Sequence, residues 1–189
     1  YRLAGGGQVT FQVGDYDVER PLTIDPFLEF STLVGSKGYE CTFDLFVDGD
    51  GCPYITGYVP SSTGFPTTGN AFCSTVTGSD DAFIIKLSSN GSKLLYSSYF
   101  GGNRTDEGNG IVVDAEGCVY ITGFTESNNF PTTSNAFCST ANGGKDAFVL
   151  KLASNGTDLV YSTYLGGYEE DGANDIDIDD SGCAHVTGY

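Results

Sequence analysis

The sequence predicts an all-β protein built from four-stranded antiparallel blades of the propeller type, and three observations lead to this prediction. Short segments rich in β-branched and aromatic residues recur along the chain, and each is bounded by Gly, Asn, Asp or Ser. Long parts of the sequence repeat with a constant shift of 65 residues. The composition, with 27 Gly, 13 Phe, 12 Tyr and neither Met nor Trp, is typical of a β protein rich in turns.

The repeat is clearest in three pairs of segments. Residues 94–102 return as 159–167, residues 65–75 return as 130–140, and residues 81–87 return as 146–152. A weaker copy of the first segment lies one period upstream, at residues 30–36. Similarity at a fixed period indicates a fold in which each repeat is one structural unit that packs against its neighbours.

Each period contains four predicted strands. In the second repeat they cover residues 110–114, 119–124, 147–152 and 159–165. The turn at 114–117 joins the first pair, and Asn155-Gly156 joins the last pair, since glycine readily takes the positive φ that a tight hairpin needs. Four antiparallel strands per repeat make one blade of a β-propeller.

Five motifs follow one another along the chain. They are Asp-Glu-Gly-Asn-Gly-Ile-Val-Val-Asp at 106–114, Val-Tyr-Ile-Thr-Gly-Phe at 119–124, Phe-Pro-Thr-Thr at 130–133, Asp-Ala-Phe-Val-Leu-Lys-Leu at 146–152 and Tyr-Ser-Thr-Tyr-Leu-Gly-Gly at 161–167. Together they resemble the SBBP-type β-propeller repeat of secreted microbial proteins, over residues 27–189. The resemblance implies the fold and an exported setting, and it implies no catalytic residues. The regularly spaced cysteines are not part of that family's usual pattern.

The repeats divide the chain into four parts. Residues 1–33 hold N-terminal strands and are a candidate donor segment, residues 34–102 are the first blade repeat, residues 103–167 are the second, and residues 168–189 are half of a third. The half blade has two predicted strands, at 174–179 and 184–189. The N-terminal strand candidates are 8–13 and 27–33, and the second of them copies the fourth strand of a blade.

This count leaves the blades incomplete at both ends. A propeller usually needs at least four blades, and an exposed half blade offers unpaired N–H and C=O groups that recruit another strand. Either the chain is part of a larger propeller, or the N-terminal strands of one copy complete the half blade of the next. The second arrangement is a head-to-tail contact between identical chains, and it gives a filament where its rotation does not close a ring.

The charge of the chain excludes one class of partner. Eight Lys and Arg stand against 25 Asp and Glu, for a net charge of −17, so we expect the chain to repel nucleic acid. No apolar run approaches the roughly 20 residues of a membrane span. Because the sequence begins with Tyr1 and not with Met, we expect either a mature product or the ordered piece of a longer chain.

Six cysteines in an acidic β protein favour an oxidising, extracellular location. The simplest pairing is a disulfide within each repeat, Cys52 with Cys73 and Cys118 with Cys138. A zinc site is the alternative, although the sole histidine lies outside any Cys-x-x-Cys pattern. Cys41 and Cys183 are left over, and they are candidates either for a disulfide between subunits or for free thiols.

Two kinds of surface site are also predicted. Asn90, Asn103 and Asn155 begin Asn-x-Ser/Thr sequences, so they are candidate glycosylation sites, although hairpin geometry explains the Asn-Gly pairs equally well. No cofactor is required, but carboxylate oxygens near the first and third turns are candidate calcium ligands. Solvated turn carboxylates are the other explanation for these residues, which are Asp44, Asp48, Asp50, Asp175, Asp177 and Asp179.

The residues that catalysis usually needs are largely missing from the sequence. His185 takes the place of Tyr54 and Tyr120 in the repeat, so we interpret it as a strand side chain. There is no Gly-x-Ser-x-Gly elbow and no obvious pair of nucleophile and base. Carboxylate pairs that act on sugars remain an alternative, but no single pair stands out. Two pairs that recur with the third strand are interpreted as blade architecture, namely Asp81 with Lys86 and Asp146 with Lys151.

We therefore predict an extracellular, non-enzymatic repeat protein with a structural or adhesive role, whose partners are copies of itself in head-to-tail contact, and glycans. The alternative is a carbohydrate- or protein-binding fragment of a larger secreted propeller.

Overall fold

The structure, a computed structural model, describes residues 30–61 and 64–189 in full and the backbone of residues 2–4 and 8–10. Within these residues the protein is all β, and none of them lies in a helix, so no helix there meets the length and hydropathy of a membrane crossing. The strands are β1 Arg2–Ala4, β2 Gln8–Thr10, β3 Cys41–Val47, β4 Pro53–Pro60, β5 Asp80–Leu87, β6 Leu94–Phe100, β7 Asp106–Val113, β8 Val119–Thr125, β9 Asp146–Leu152, β10 Leu159–Leu165, β11 Ala173–Ile178 and β12 Ala184–Gly188.

Two four-stranded sheets form the complete blades. Strands β3 to β6 lie side by side in chain order in the first blade, and β7 to β10 repeat this arrangement in the second. Neighbouring strands in both sheets are antiparallel. β11 and β12 form a two-stranded sheet that corresponds to the first two strands of a blade, and β1 pairs with β2. The predicted fold of two blades and one half blade is confirmed.

The two complete blades also share one register. In each blade, three residues on neighbouring strands pair in one row across the sheet, and we call this row a level of the blade. The row contains a tyrosine of the second strand, a lysine of the third strand and a tyrosine of the fourth strand. These residues are Tyr54, Lys86 and Tyr96 in the first blade, and Tyr120, Lys151 and Tyr161 in the second. Equivalent positions can therefore be compared residue by residue.

The observed strands differ from the predicted ones at two places. β7 begins at Asp106, four residues before the predicted start, because its pairing with β8 continues past an irregularity between Gly108 and Gly110. The predicted strand at 27–33 is wrong over residues 30–33, which join no sheet in the described part of the chain. The other predicted N-terminal strand begins as β2. Residues 11–13 and 27–29 lie outside the described residues.

The last hairpin of each blade turns on a glycine. Gly91 and Gly156 have φ angles of 66° and 75°. Their N–H groups donate to the carbonyl oxygens of Ser88 and Ala153, at 2.7 and 2.9 Å. No residue other than glycine has a positive φ in the described chain, so the left-handed conformation falls on glycine, which has no Cβ to oppose it.

Apolar side chains fill the joints between blades. We call the face of a blade that points to the next blade its forward face, and the opposite face its rear face. On the forward face of the first blade, Tyr54, Ile84 and Phe100 cluster with rear-face side chains of the second blade such as Ile121 and Phe148. These side chains are almost completely buried, and the burial of each contributes about 2 kcal/mol to stability.

The second joint repeats this packing with the half blade. Val112, Tyr120 and Val149 on the forward face of the second blade cluster with Ile176. Val186 of β12 packs against the same group. The half blade therefore lies in the position of a third blade.

Candidate functional site

β12, the second strand of the half blade, has one edge without a partner strand in the described structure. β12 pairs with β11 along its other edge. Its equivalents in the complete blades, β4 and β8, pair along both edges. The N–H and C=O groups of such an edge form a template for an added strand.

The rear face of the first blade exposes apolar side chains that are buried elsewhere in the fold. Leu45 and Val47 are 55% and 52% exposed. Their equivalents in the second blade are Ile111 and Val113, which are 4% and 6% exposed because the first blade covers them. The first blade therefore presents the surface of a blade joint without the preceding blade.

Residues 30–34 occupy part of that missing joint. The ring of Phe30 lies against Gly91 of the first blade. In the complete joint the ring of Tyr96 lies in the same way against Gly156, where a Cβ would be 2.6 Å from the nearest ring carbon. Phe100 packs against the rear face of the second blade, and Val34 packs in the same way against the rear face of the first. The buried cluster there, which we call the rear-face cluster, contains Val59, Phe65, Phe83, Ile85, Leu87 and Tyr99. This segment thus takes the place of a fourth strand of a preceding blade, although it joins no sheet.

The forward face of the half blade differs chemically from the forward faces of the complete blades. Phe46 lies opposite Tyr54 in the first blade, and in the half blade Asp177 lies opposite His185. Asp177 and His185 are both exposed. As the sequence predicts, His185 is a strand side chain.

Each complete blade carries a polar triad of aspartate, tyrosine and lysine at the level described above. In the first blade Lys86 Nζ donates to Tyr54 Oη at 2.5 Å, and Tyr54 Oη donates to Asp48 Oδ2 at 3.2 Å. Lys86 Nζ also forms an ion pair with Asp48 Oδ2 at 3.4 Å. Burial alone would raise the pKa of Asp48, but hydrogen bonds from the Cys52 N–H and from Lys86 lower it.

The second blade repeats the triad with one added contact. Lys151 Nζ lies 2.5 Å from Tyr120 Oη and 3.0 Å from Asp114 Oδ2. Burial disfavours the charged lysine, but its bonds with Tyr120 and Asp114 outweigh burial and raise the pKa of Lys151. Tyr120 Oη also reaches the carbonyl oxygen of Gly182, at 3.1 Å, across the joint to the half blade.

The triads lie beside two equivalent clefts, one at each joint. Their volumes are about 610 and 520 Å³. Four carboxylates and one ammonium group line each cleft, so both are acidic. The charged residues are Asp48, Asp50, Lys86, Asp114 and Glu116 at the first joint, and Asp114, Glu116, Lys151, Asp179 and Asp180 at the second.

Buried carboxyl groups lie near the opposite ends of the strands. A Cβ on Gly101 would be 2.5 Å from Cγ of Asp81 and 2.9 Å from Oδ2 of Asp106, so the two carboxyl groups are close together. Both aspartates are almost fully buried. Burial raises the pKa of Asp106 to about 6, against the effect of its hydrogen bonds from Thr125, Gly102 and Ser127. Burial also raises the pKa of Asp81.

All six cysteines are unpaired in the structure. Cys52 packs against the forward-face cluster of the first blade, whereas Cys73 packs against the rear-face cluster, so the structure does not bring this predicted pair together. Cys118 and Cys138 are separated in the same way, with Cys118 at the second joint and Cys138 at the first. Cys41 is half-buried and Cys183 is exposed.

The three candidate glycosylation sites are exposed. Asn90 and Asn155 lie in the last hairpins of the two blades, and Asn103 lies between β6 and β7. The side-chain oxygen of Asn90 accepts hydrogen bonds from the hydroxyl groups of Ser88 and Ser92, at 2.8 and 2.7 Å.

The calcium candidates are dispersed. Asp44 Oδ2 accepts the N–H of Ile111 at 2.8 Å and so links the first two blades, while Asp48 belongs to the first triad. Asp50, Asp175 and Asp177 are exposed, and Asp179 lies beside His185. Within the described residues, no group of three or more His, Cys, Asp or Glu side chains is placed to hold a metal ion.

Sequence reasoning missed the triads and the clefts. It interpreted Lys86 and Lys151 as blade architecture and did not connect them with Tyr54 and Tyr120. The available signal was that the aspartate, the tyrosine and the lysine recur together, at residues 48, 54 and 86 and again at residues 114, 120 and 151.

Two blades, a half blade and shared registers define a β-propeller repeat protein. Residues 95–131 match the family model of the SBBP β-propeller repeat, so the chain carries this repeat and the resemblance predicted from its motifs is confirmed. The matched segment begins within β6 and ends after β8, so it joins the last strand of one blade to the first two strands of the next. No curated protein matches the chain.

Proposed function

We propose that this protein is an extracellular, non-enzymatic structural repeat protein whose copies join head to tail. In this arrangement the N-terminal segment of one copy completes the half blade of the next. The observation that carries the proposal is the position of Phe30 on Gly91, which matches that of Tyr96 on Gly156. It supports a position for residues 30–34 equivalent to that of the fourth strand of a preceding blade, and we propose that another copy supplies the half blade at this position.

In this arrangement the N-terminal segment of a copy does not complete the half blade of the same copy. Residues 30–34 lie on the rear face of the first blade, and the half blade lies on the forward face of the second. These two positions coincide only if three blades close a ring, whereas propellers usually contain at least four. A second copy is therefore the partner that we propose for each end.

The exposed apolar side chains of the first blade support the same contact. Leu45 and Val47 lie where a preceding blade would cover them. Two copies would contribute about six blades, a number that propellers often use. Where the rotation between copies does not close a ring, the same contact continues into a filament, which is the assembly that we propose.

Self-association tests the proposal directly. Sedimentation velocity should show large assemblies for chain 1–189 and monomers for a variant that lacks residues 1–33. A synthetic peptide of residues 8–36 should block assembly of the full chain, and a scrambled peptide should not. Electron microscopy then distinguishes filaments from rings. A full chain that stays monomeric at high concentration, or a truncated chain that assembles equally well, would contradict the proposal.

The extracellular setting is a separate part of the proposal. It is supported by six cysteines and three exposed Asn-x-Ser/Thr sites. The intact mass of native material under non-reducing conditions should show disulfides and added glycan mass. Six reduced thiols together with unmodified asparagines would contradict an extracellular setting.

Binding of a carbohydrate is a second candidate function, because the two clefts carry hydroxyl, ammonium and carboxylate groups within reach of a polar ligand. Calorimetric titration with neutral and cationic oligosaccharides should detect binding that Lys86→Met and Lys151→Met weaken. No heat of binding in this series would remove this candidate.

A further inference from the structure

One polar site in the half blade has no lysine or arginine partner among the described residues. In the complete blades the aspartate that directly follows the first strand pairs with a lysine of the third strand, at 3.4 Å for Asp48 and 3.0 Å for Asp114. In the half blade Asp179 takes this place. Its Oδ2 lies 3.4 Å from Nε2 of His185, and both side chains are substantially exposed. The lysine position belongs to a third strand that would lie along the free edge of β12.

The N-terminal sequence repeats the spacing of the third and fourth strands. Lys86 lies ten residues before Tyr96, and Lys151 lies ten residues before Tyr161. Arg20 lies ten residues before Phe30 in the same way. An aspartate also precedes each of the three cations by five residues, at positions 15, 81 and 146. Residues 15–34 therefore align without a gap to residues 81–100.

The position of Phe30 then sets the register of this alignment. Phe30 lies on the rear face of the first blade as the equivalent of Tyr96, which is opposite Lys86 and on the level of Tyr54. The residue ten places before Phe30 would reach the same level of the preceding blade. In a half blade supplied by another copy, that level contains His185.

We propose that residues 15–20 of a second copy add to the free edge of β12 as its third strand, with Arg20 of that copy paired to Asp179. This inference rests on the proposed head-to-tail association. It names the segment that is added and the ion pair that sets the register of this segment against β12. Charge complementarity supports it, because Asp177, Asp179 and Asp180 surround the site and the chain carries a net charge of −17. A guanidinium group also donates in a planar fork that suits a carboxylate.

Charge exchange between two chains tests the pair. Arg20→Glu should weaken self-association of chain 1–189 by about tenfold, while Arg20→Lys should retain it. Asp179→Arg should weaken it similarly, and an equal mixture of the Arg20→Glu and Asp179→Arg chains should recover assembly because each interface then holds opposite charges. Lys93→Glu and Asp50→Arg are matched controls at exposed positions of the first blade and should have little effect.

A second variant at position 179 distinguishes the loss of the ion pair from a folding defect. Asp179 Oδ1 accepts the N–H groups of Ser181 and Cys183, both at 2.9 Å, so Asp179→Arg also removes turn contacts. Asp179→Asn keeps an oxygen in this place and removes only the charge. Circular dichroism should show that each chain retains its β signal.

The outcomes separate this inference from the proposed function. If the parent chain assembles while Arg20→Glu and Asp179→Asn assemble equally well, the ion pair is wrong and head-to-tail association stands. If the parent chain does not assemble at all, both proposals fail, and strands from outside residues 1–189 become the better explanation for the free edge.

Discussion

The ring of Tyr96 lies against Gly156, so that the last hairpin of the second blade rests on the fourth strand of the first. This contact joins two neighbouring blades through a residue without a side chain. Gly156 serves two purposes here, because its φ of 75° makes the turn and its open Cα admits the aromatic ring. The close approach of the blades therefore depends on the same glycine as the hairpin.

Gly156→Ala should destabilise the protein through both of these requirements. A Cβ would lie 2.6 to 2.9 Å from three ring carbons of Tyr96, and the positive φ adds strain. We expect the free energy of unfolding to fall by about 2 to 4 kcal/mol in urea denaturation. Gly64→Ala is the control, because Gly64 has a φ of 65° and no neighbour within 4 Å. An equal loss in both variants would show that the ring contact contributes nothing.

The two triads allow a matched comparison. Tyr54→Phe removes a hydroxyl that contacts Lys86 and Asp48, and Tyr120→Phe removes one that also reaches the Gly182 carbonyl across the joint. Each substitution should cost about 1 to 2 kcal/mol, and the second should cost more by about 0.5 to 1 kcal/mol. Thermal unfolding by calorimetry measures the difference. If Tyr54→Phe costs as much as Tyr120→Phe, the contact across the joint is not stabilising.

The buried carboxyl group of Asp106 predicts a pH dependence. Its pKa is about 6 in the folded protein, above the ordinary value of 3.8, because burial disfavours the charge. The folded state therefore holds this proton more tightly than the unfolded state does. The stabilising effect is fully present below the unfolded pKa and is lost as the pH rises through about 6. Between pH 7 and pH 5 the free energy of unfolding should rise by about 1.3 kcal/mol from this group.

Asp106→Asn isolates this contribution, since it keeps the size of the side chain and removes its ionisation. The net charge of −17 also makes acidification favourable, because protonation reduces repulsion over the whole molecule. Asp50→Asn, which changes the charge equally at an exposed turn, is therefore the matched control. Denaturation at several pH values should show a flatter profile for Asp106→Asn alone. Identical profiles for the two variants would exclude a special role for Asp106.

Much of the fold could be predicted because its determinants are local. Segments rich in β-branched and aromatic residues and a glycine at each hairpin lie in contiguous sequence, and the 65-residue shift repeats them. The early start of β7 could not be predicted in this way. The four added residues include Gly108, and they join the sheet because β8 extends far enough to pair with them.

The candidate site was less predictable because it depends on how blades stack. Asp48, Tyr54 and Lys86 come from three separate parts of the sequence and meet only when their strands share a register. The faces on which Cys52 and Cys73 pack could not be predicted either. The long connection between β4 and β5 has no periodic sequence pattern that would indicate its path. The recurrence of these residues indicated that they contribute to each blade. It did not indicate which of them are in contact.

The exposed rear face of the first blade gives a last prediction from equivalent positions. Leu45 and Ile111 occupy the same place in their blades, but 55% of Leu45 is exposed and 4% of Ile111. In chains diluted to monomers, Ile111→Ala should lower the free energy of unfolding by about 2 to 4 kcal/mol, because it leaves a cavity in a closed joint. Leu45→Ala should cost less than about 1 kcal/mol there.

Assembly should increase the effect of Leu45→Ala. If a preceding blade from another copy covers the rear face, Leu45→Ala removes buried contact area and weakens association by about tenfold. Leu95→Ala is the control, because Leu95 is 44% exposed on β6 and lies outside the rear-face cluster. Sedimentation across a concentration series measures both variants. If the two association constants equal that of the parent chain, the rear face of the first blade takes no part in self-association.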